Sequence, residues 1–365
     1  MSVLWLVVLT GILVALQAVL FSIFDLRHLR YERRFSVETA HEGQNVELIE
    51  NIRNEKLLPV PWLRAESRMP AELSFGDKPT DAMHEVKGGL YHKSLFFLAP
   101  MCAITRHHAV TLRRRGVYAA GSVALTAGDL FALVKKEKQL ELDCGIVVYP
   151  ALLSENELPD PAHRWLGDAV VRRWIMPDPF LVNGIRDYRA GDPMRDVHWK
   201  ATARTGELRV KQHDYTSDPR ALVILNVQVS PWQWADVPPQ NIEDMEQAIR
   251  IAATLCVRAI KSGMNAGFAT NACVRGLEGK GEFIYVPTQA GSGQADKLLD
   301  TMARMALHRE LTFPTFLGEL TEVSGEDILI MSYYEDDELS EAVLKLRQQG
   351  NSVSVLRLGG GRKSA

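Results

Sequence analysis

Apolar residues follow three different patterns along this chain. From Val3 to Phe24 they are nearly continuous, with no charged side chain and with Gln17 as the most polar residue. From Tyr31 to about Pro150 they come in short runs near period two, as in RFSVETA, NVELIENIR, SLFFLAP and LELDCGIVVYP, separated by clusters such as EGQN and FGDKPTD. Past residue 218 the period changes again. A continuous run from Ala221 to Leu225 reads as a strand buried on both faces. The segment 241–263 reads as a helix, with Met245, Ile249, Ala252, Leu255, Cys256 and Ile260 on one face. Asn241 is placed to cap it, Glu243 and Asp244 fill its first turn, and Gly263 ends it.

The first pattern predicts a transmembrane anchor over residues 1–26, because such a run spans roughly 30 Å of hydrocarbon as a helix. It lacks the basic start of a cleaved signal peptide. Arg27, Arg30, Arg33 and Arg34 follow the run, and no Lys or Arg precedes it. The positive-inside rule then predicts a single-pass protein of the inner, cytoplasmic membrane. Its soluble domains would lie in the cytoplasm, and one helix would touch lipid.

The second pattern predicts a β-rich, immunoglobulin-like sandwich over 31–150. Residues 151–217, rich in Pro and Asp and without a sustained period, form a connector. In 218–358, further strands (NAGFATNA, GEFIYVP, EDILIMS, SVSVLRL) alternate with helices (QADKLLDTMARMAL, DDELSEAVLKLRQQG). That alternation predicts an open α/β domain with a parallel sheet covered on both faces. Residues 359–365 read as a disordered tail. The expected fold class is α+β and multidomain: transmembrane helix, sandwich, then a Rossmann-type α/β sheet.

Composition narrows the chemistry. A net charge of −3 over 365 residues gives no overall pull toward nucleic acid or acidic lipid. Cys102, Cys144, Cys256 and Cys273 include no C-x-x-C pair. The chain has no G-x-G-x-x-G, P-loop, G-x-S-x-G or H-E-x-x-H motif. No cofactor is expected. His107 and His108 are adjacent in a predicted strand, so they point to opposite faces and cannot chelate one ion together.

An open α/β sheet binds ligands at the carboxyl ends of its strands, which points to the loop beginning at Asn226. The von Willebrand factor A fold carries Asp-x-Ser-x-Ser there, and those oxygens hold Mg²⁺. The corresponding residues here are Asn226, Gln228 and Ser230. A hard cation ordinarily needs at least one carboxylate, and this set has none. A metal-free relative of that fold is the favoured reading.

The densest polar stretch runs from Gly184 to Tyr215, GIRDYRAGDPMRDVHWKATARTGELRVKQHDY. Asp187, Asp192, Asp196 and His198 could serve a metal-dependent hydrolase as carboxylates and base. Tyr188 with Arg189, and Trp199 with Lys200, interleave aromatics and cations as a nucleic-acid surface does. The acidic residues nearly cancel the basic ones, whereas a groove tracking phosphate is one-sided, so no nucleic acid is expected. A self-paired clamp fits better. In it Asp192 bridges a tight Gly191 turn, Trp199 packs beneath, and Arg186, Arg195 and Arg204 pair inward.

This stretch resembles the signature of the domain of unknown function 58 (DUF58) family, roughly R-x-Y-x-x-G-D-x-x-R-x-I-x-W-x-x-x-A-R-x-x-x-L-x-V. The matching residues are Arg186, Tyr188, Gly191, Asp192, Arg195, Trp199, Lys200, Ala203, Arg204, Leu208 and Val210, flanking Asp196; Val197 stands where Ile is usual. DLFAL near residue 130 lacks the Pro and Gly of the family's turn, and this chain shows one span where many relatives have two. The resemblance implies a membrane-anchored protein with a β-rich segment and a von Willebrand factor A-like domain. It further implies association with a MoxR-type AAA+ ATPase and with transglutaminase-like membrane proteins. The function expected on this basis is a non-enzymatic adaptor or chaperone cofactor in envelope or complex assembly. The alternative is the metal-dependent hydrolase.

Overall fold

The computed structural model describes all residues except 1, 25, 27, 76–82, 87–88, 132, 173–181, 190, 214–218, 235 and 360–365. The chain divides into two compact units, Met1–Ala151 and Leu152–Ala365.

The first unit is built from strands. An antiparallel sheet runs in the order Leu29–Phe35, Asn45–Asn54, Ala103–Leu112, Leu73–Phe75. A five-stranded sheet orders Lys135–Glu141, Ser122–Gly128, Val60–Met69, Gly89–Leu98 and Met83–Val86. A three-stranded sheet joins Thr39–His41, Gly145–Tyr149 and Gly116–Ala119. Inward residues alternate along strands such as Asn45–Asn54 as the period-two pattern requires, and Leu48, Ile52, Leu63, Phe96, Leu98, Val110 and Leu125 are all buried.

Glu50 occupies one of those inward positions, between Leu48 and Ile52. Arg33 sits opposite it in the register and pairs with it at 2.5 Å, both side chains fully buried. Tyr31 and Ser94 hydroxyls donate to its carboxylate at 2.6 and 2.8 Å, and His108 Nε2 lies 3.0 Å away. Arg33 also donates to Ser67 at 2.8 Å. A buried charge is tolerated when it is paired and its remaining valences are filled; the Glu50 carboxylate meets this, whereas Arg33 Nε is buried without a hydrogen-bond partner. Burial alone would raise the Glu50 pKa. The His108 contact, the Arg33 charge and the Tyr31 hydroxyl outweigh that and hold it below the usual carboxylate range. His107, on the opposite face, meets exposed Glu47 at 2.9 Å.

The second unit has a five-stranded sheet in the order Ile284–Gln289, Asn265–Thr270, Arg220–Leu225, Asp327–Ser332, Ser352–Arg357. Helices Phe313–Glu319 and Asp337–Gln348 pack on one face, burying Phe313, Phe316, Leu339 and Leu346 against Leu222, Ile224, Ile328 and Ile330. Helix Ile242–Lys261 packs on the strands Arg220–Leu225 and Asn265–Thr270, and helix Ser292–Arg304 packs on it in turn.

The expected architecture of transmembrane helix, sandwich and Rossmann-type parallel sheet is corrected by these findings. Twenty-one strands against seven α-helices make the described chain sheet-rich. The sheet of the second unit is mixed, because Ile284–Gln289 runs antiparallel to its neighbour. The chain reaches that edge strand through the short strand Ala272–Val274 and a loop, without the crossover helix a parallel neighbour needs.

No helix among the described residues is long and apolar enough to cross a membrane. The Ser2–Phe24 segment is helical. The basic flank that set the orientation also has another role. Arg33 is a core residue, and Arg30 and Arg34 belong to the first strand of the sandwich. The single-pass inner-membrane placement, with its lipid contact and cytoplasmic domains, is therefore not supported. Arg27 and the tail from 360 onward lie outside the described residues.

Candidate functional site

The signature folds as a hairpin with an inserted helix. Strands Val182–Asp187 and Arg209–His213 pair antiparallel, with Asp187 opposite Arg209 and Arg186 opposite Val210. Between them the Asp192 amide donates back to the Arg189 carbonyl at 3.0 Å, and a short 3₁₀ turn Met194–Asp196 and the helix Trp199–Thr205 follow. Val197 bridges Val210, and both are buried. Gly191 and Gly206 hold φ of +106° and +75°, conformations that disfavour a side chain.

The polar side chains of this hairpin are largely spent on each other. Arg186 reaches Asp192 through two nitrogens at 2.7 Å each, and Asp192 also accepts the Arg189 amide at 2.8 Å. These bonds, the Arg186 fork first, pull the Asp192 carboxyl down to about 2. Asp187 pairs with Arg209 across the strands. Asp196 lies 3.8 Å from Arg195. His198 caps the helix: its Nδ1 accepts the Ala201 amide at 3.0 Å, which leaves the proton of the neutral ring on Nε2. Thr202 accepts the Arg209 amide at 3.0 Å.

The four proposed hydrolase residues thus fall on one hairpin without forming a shared centre. Among the described residues no group of three His, Cys, Asp or Glu is placed to hold a metal ion. The clamp differs in detail from its sequence expectation. Asp192 does bridge the Gly191 turn through Arg186. Trp199 does not pack beneath it but stands 62% exposed. Arg195 faces outward with its side chain 85% exposed, and Lys200 and Arg204 are exposed too. Tyr188 is half-buried, and its amide donates to Leu208 at 3.0 Å.

The loop after the central strand is closed by amides. Asn226 donates to Ser332 Oγ at 3.0 Å and accepts the Gln228 amide at 2.9 Å. Gln228 Oε1 accepts from the Phe313 amide at 2.8 Å and from Asn271 at 3.3 Å. Asn271 in turn accepts the Val227 amide at 3.0 Å. The Ser230 carbonyl closes a turn with the Gln233 amide at 3.2 Å. Asn226 and Gln228 are buried, and both of their side-chain oxygens are already occupied. This loop locks the ends of three strands together and presents no carboxylate to a cation.

These pieces form one continuous segment. Residues 184–319 match the family described as Protein of unknown function DUF58. The DUF58 segment takes in the hairpin, the amide loop and the Phe313–Glu319 helix. The uncharacterized protein YeaD of Bacillus subtilis (strain 168) is 21% identical over 371 residues, covering 96% of this chain and 87% of that protein. Among solved structures, a CARDB domain from Pyrococcus furiosus, bound to di-metal ions, covers 33% of this chain and 94% of its own at 12% identity and a TM-score of 0.21. The seventh ScaB type I cohesin of Pseudobacteroides cellulosolvens covers 34% and 96% at 11% identity and a TM-score of 0.23. At such scores the likeness is too slight to place a fold.

The most conspicuous feature of the DUF58 segment is absent from its signature. Trp232 and Trp234, in the loop that follows the amide lock, are 92% and 88% exposed. Trp is highly buried on average, so two in one loop are unusual. The loop is held from inside. Buried Gln233, between them, accepts the Val229 amide at 2.8 Å and donates to the Val227 carbonyl at 3.3 Å. Arg309 donates to the Trp234 carbonyl, and Asp236 meets His308 at 2.7 Å. The available sequence signal was the run SPWQWADVPP, where two tryptophans sit in a short segment bounded by Pro231, Pro238 and Pro239.

Proposed function

We propose that this chain is a non-enzymatic adaptor or chaperone cofactor that docks a protein partner through its DUF58 segment. The observation that carries this reading is the exposure of Trp232 and Trp234 on a loop fixed by buried Gln233. Exposed, pre-positioned aromatics are what binding hot spots are made of, and they lose little entropy on docking. The candidate catalytic groups support the same reading, because Asp187, Asp192 and His198 each serve the hairpin itself. A MoxR-type AAA+ ATPase, the partner implied by the signature, is the first to test. Full-length chain is immobilised and mixed with the purified ATPase at micromolar concentration. The expected outcome is a stoichiometric complex and a changed ATPase rate. Absence of both complex and rate change removes that partner, and a measurable hydrolase activity abolished by Asp192→Asn overturns the non-enzymatic reading.

A further inference from the structure

The carboxyl end of the second unit's sheet offers more than the tryptophan loop. The central strand Arg220–Leu225 connects through helix Ile242–Lys261 to one neighbour, Asn265–Thr270, while its other neighbour is Asp327–Ser332. The topology therefore switches direction between Arg220–Leu225 and Asp327–Ser332, where open α/β sheets form their binding crevice. A cleft of about 810 Å³ opens at this end, between the starts of helices Asp160–Arg172 and Ile242–Lys261 and the end of strand Ser352–Arg357. Glu157, Asp160 and Asp244 line it, with Arg357 as the one cation among its lining residues.

Tyr333, in the loop after Asp327–Ser332, lines the same cleft. Its neighbour Tyr334 accepts the Ser332 hydroxyl at its carbonyl at 2.8 Å, and the same hydroxyl accepts from Asn226 at 3.0 Å, which ties this loop to the one after the central strand. Cleft and tryptophan loop both lie on the carboxyl rim of this sheet, since the tryptophan loop follows Arg220–Leu225 and Tyr333 follows its neighbour Asp327–Ser332. Exposed Glu335, Asp337 and Glu338 continue that rim.

We propose that this rim is a docking surface for a basic polypeptide segment of a partner protein. Arg and Lys side chains would lie over the Trp232 and Trp234 rings and enter the cleft toward Glu157, Asp160 and Asp244. The charge of the cleft selects the occupant, because three carboxylates against one guanidinium favour cations. The tryptophans match it, because Arg and Lys bind indole faces by cation–π attraction. The inference rests on the adaptor reading and specifies the chemistry of the partner.

The test uses the full chain and two short fluorescein-labelled peptides, one alternating Arg with Gly and one alternating Glu with Gly. Fluorescence anisotropy should show binding of the basic peptide alone, weakening with salt. The double variant Trp232→Ala/Trp234→Ala and the separate variant Asp160→Asn/Asp244→Asn should each weaken it about tenfold or more. Melting curves of the tryptophan variant should match the wild type, since both rings are solvated. Equal binding of both peptides, or basic-peptide binding untouched by loss of the tryptophans, overturns the proposal. So does a dimer that the tryptophan variant dissolves, with no peptide bound, because the occupant is then a second copy. Failure of the adaptor reading is separable: the basic peptide binds as expected while no protein partner, the ATPase included, forms a complex.

Discussion

Asp192 accepts two nitrogens of Arg186 at 2.7 Å each, and this fork closes the Gly191 turn within the segment that matches DUF58. Bidentate pairing fixes direction as well as distance, so a lysine could not replace the arginine with the same effect. The Arg189 amide completes the arrangement.

A pH dependence follows for that turn. The Asp192 carboxyl lies near 3.8 when free and at about 2 in the folded hairpin. Its stabilising contribution is complete above 3.8 and is lost as pH falls toward 2, because the unfolded chain takes up the proton first. Asp192→Asn should therefore exchange its Arg189 amide faster than wild type at pH 5. The difference should shrink as pH drops through that window. Hydrogen exchange followed by mass spectrometry reads this directly; equal protection at pH 5 would show the fork to be dispensable.

The buried network of the first unit gives a second dependence, in a different range. Burial first of all, opposed by Glu50, depresses His92 from 6.5 to about 4. Its ring is then neutral at neutral pH, and its 3.8 Å approach to Glu50 is no ion pair there. Between pH 6.5 and 4 the unfolded chain binds a proton at this site and the folded one does not. Stability should fall as pH drops through that range, by roughly 3 kcal/mol at its lower end. His92 stacks on Phe75 with ring centroids 5.1 Å apart, so His92→Phe keeps the packing and removes the titration. Urea unfolding from pH 7 to 4 should show a slope in the wild type that is reduced in the variant, with Arg33, Arg106, Glu50 and His108 still in place.

Glu50 itself should be the most damaging polar position in the first unit. Glu50→Ala leaves the Arg33 guanidinium buried with no counter-charge, which costs about 3–5 kcal/mol. Arg33→Met/Glu50→Leu removes both charges and should recover part of that loss. Denaturation midpoints of the wild type, the single variant and the double variant decide it. A double variant no better than the single one would mean that Tyr31, Ser94 and His108 need the carboxylate more than Arg33 does.

The same residues show where sequence reading succeeds and where it stops. Helix Ile242–Lys261 was legible because its apolar positions repeat at the helical period, although Asn241 makes no side-chain cap. His107 and His108 point to opposite faces because strand period two is a matter of geometry alone. The helix expected from Gln294 to Leu307 instead ends at Arg304, and Met305–Arg309 is a strand. A run such as MARMAL fits either period, and pairing with Ala272–Val274 decides between them. Arg33 looked like a membrane flank because its partner Glu50 is 17 residues away. Trp199 looked like a packing residue, yet its exposure depends on a hairpin whose small interior Val197 and Val210 already fill. Long-range partnership and the direction of a lone side chain are set by the assembled fold, and local pattern carries neither.

The amide lock should behave as structure and not as a metal centre. Gln228→Ala leaves the Phe313 amide without its acceptor, at about 1–3 kcal/mol, while the Asn271 side chain keeps its bond to the Leu311 carbonyl at 3.2 Å. Millimolar Mg²⁺ or Mn²⁺ should leave the wild-type melting temperature unchanged, since any ligand that binds the folded state raises it. A cation-dependent rise lost in Gln228→Ala would reassign the loop to ion binding.

The tryptophan loop provides the last prediction. Gln233 is the buried residue between two exposed rings, and its amide fills both ends of a hydrogen-bonding gap, Val229 N–H on one side and Val227 C=O on the other. Gln233→Ala leaves the part-buried Val229 donor and the buried Val227 acceptor unpaired and should cost about 1–3 kcal/mol, while Trp232→Ala and Trp234→Ala should each cost less than about 0.5 kcal/mol. The ordering is unusual, because tryptophan truncation is ordinarily the more damaging change. Here the rings contribute surface to a partner and the glutamine holds them in place. Loss of Gln233 should also loosen the loop, so that tryptophan fluorescence anisotropy falls and basic-peptide affinity drops with both rings still present. If Gln233→Ala destabilises the protein but leaves anisotropy and affinity intact, the loop is held by Arg309 and Asp236 instead, and the pre-positioning ascribed to Gln233 is wrong.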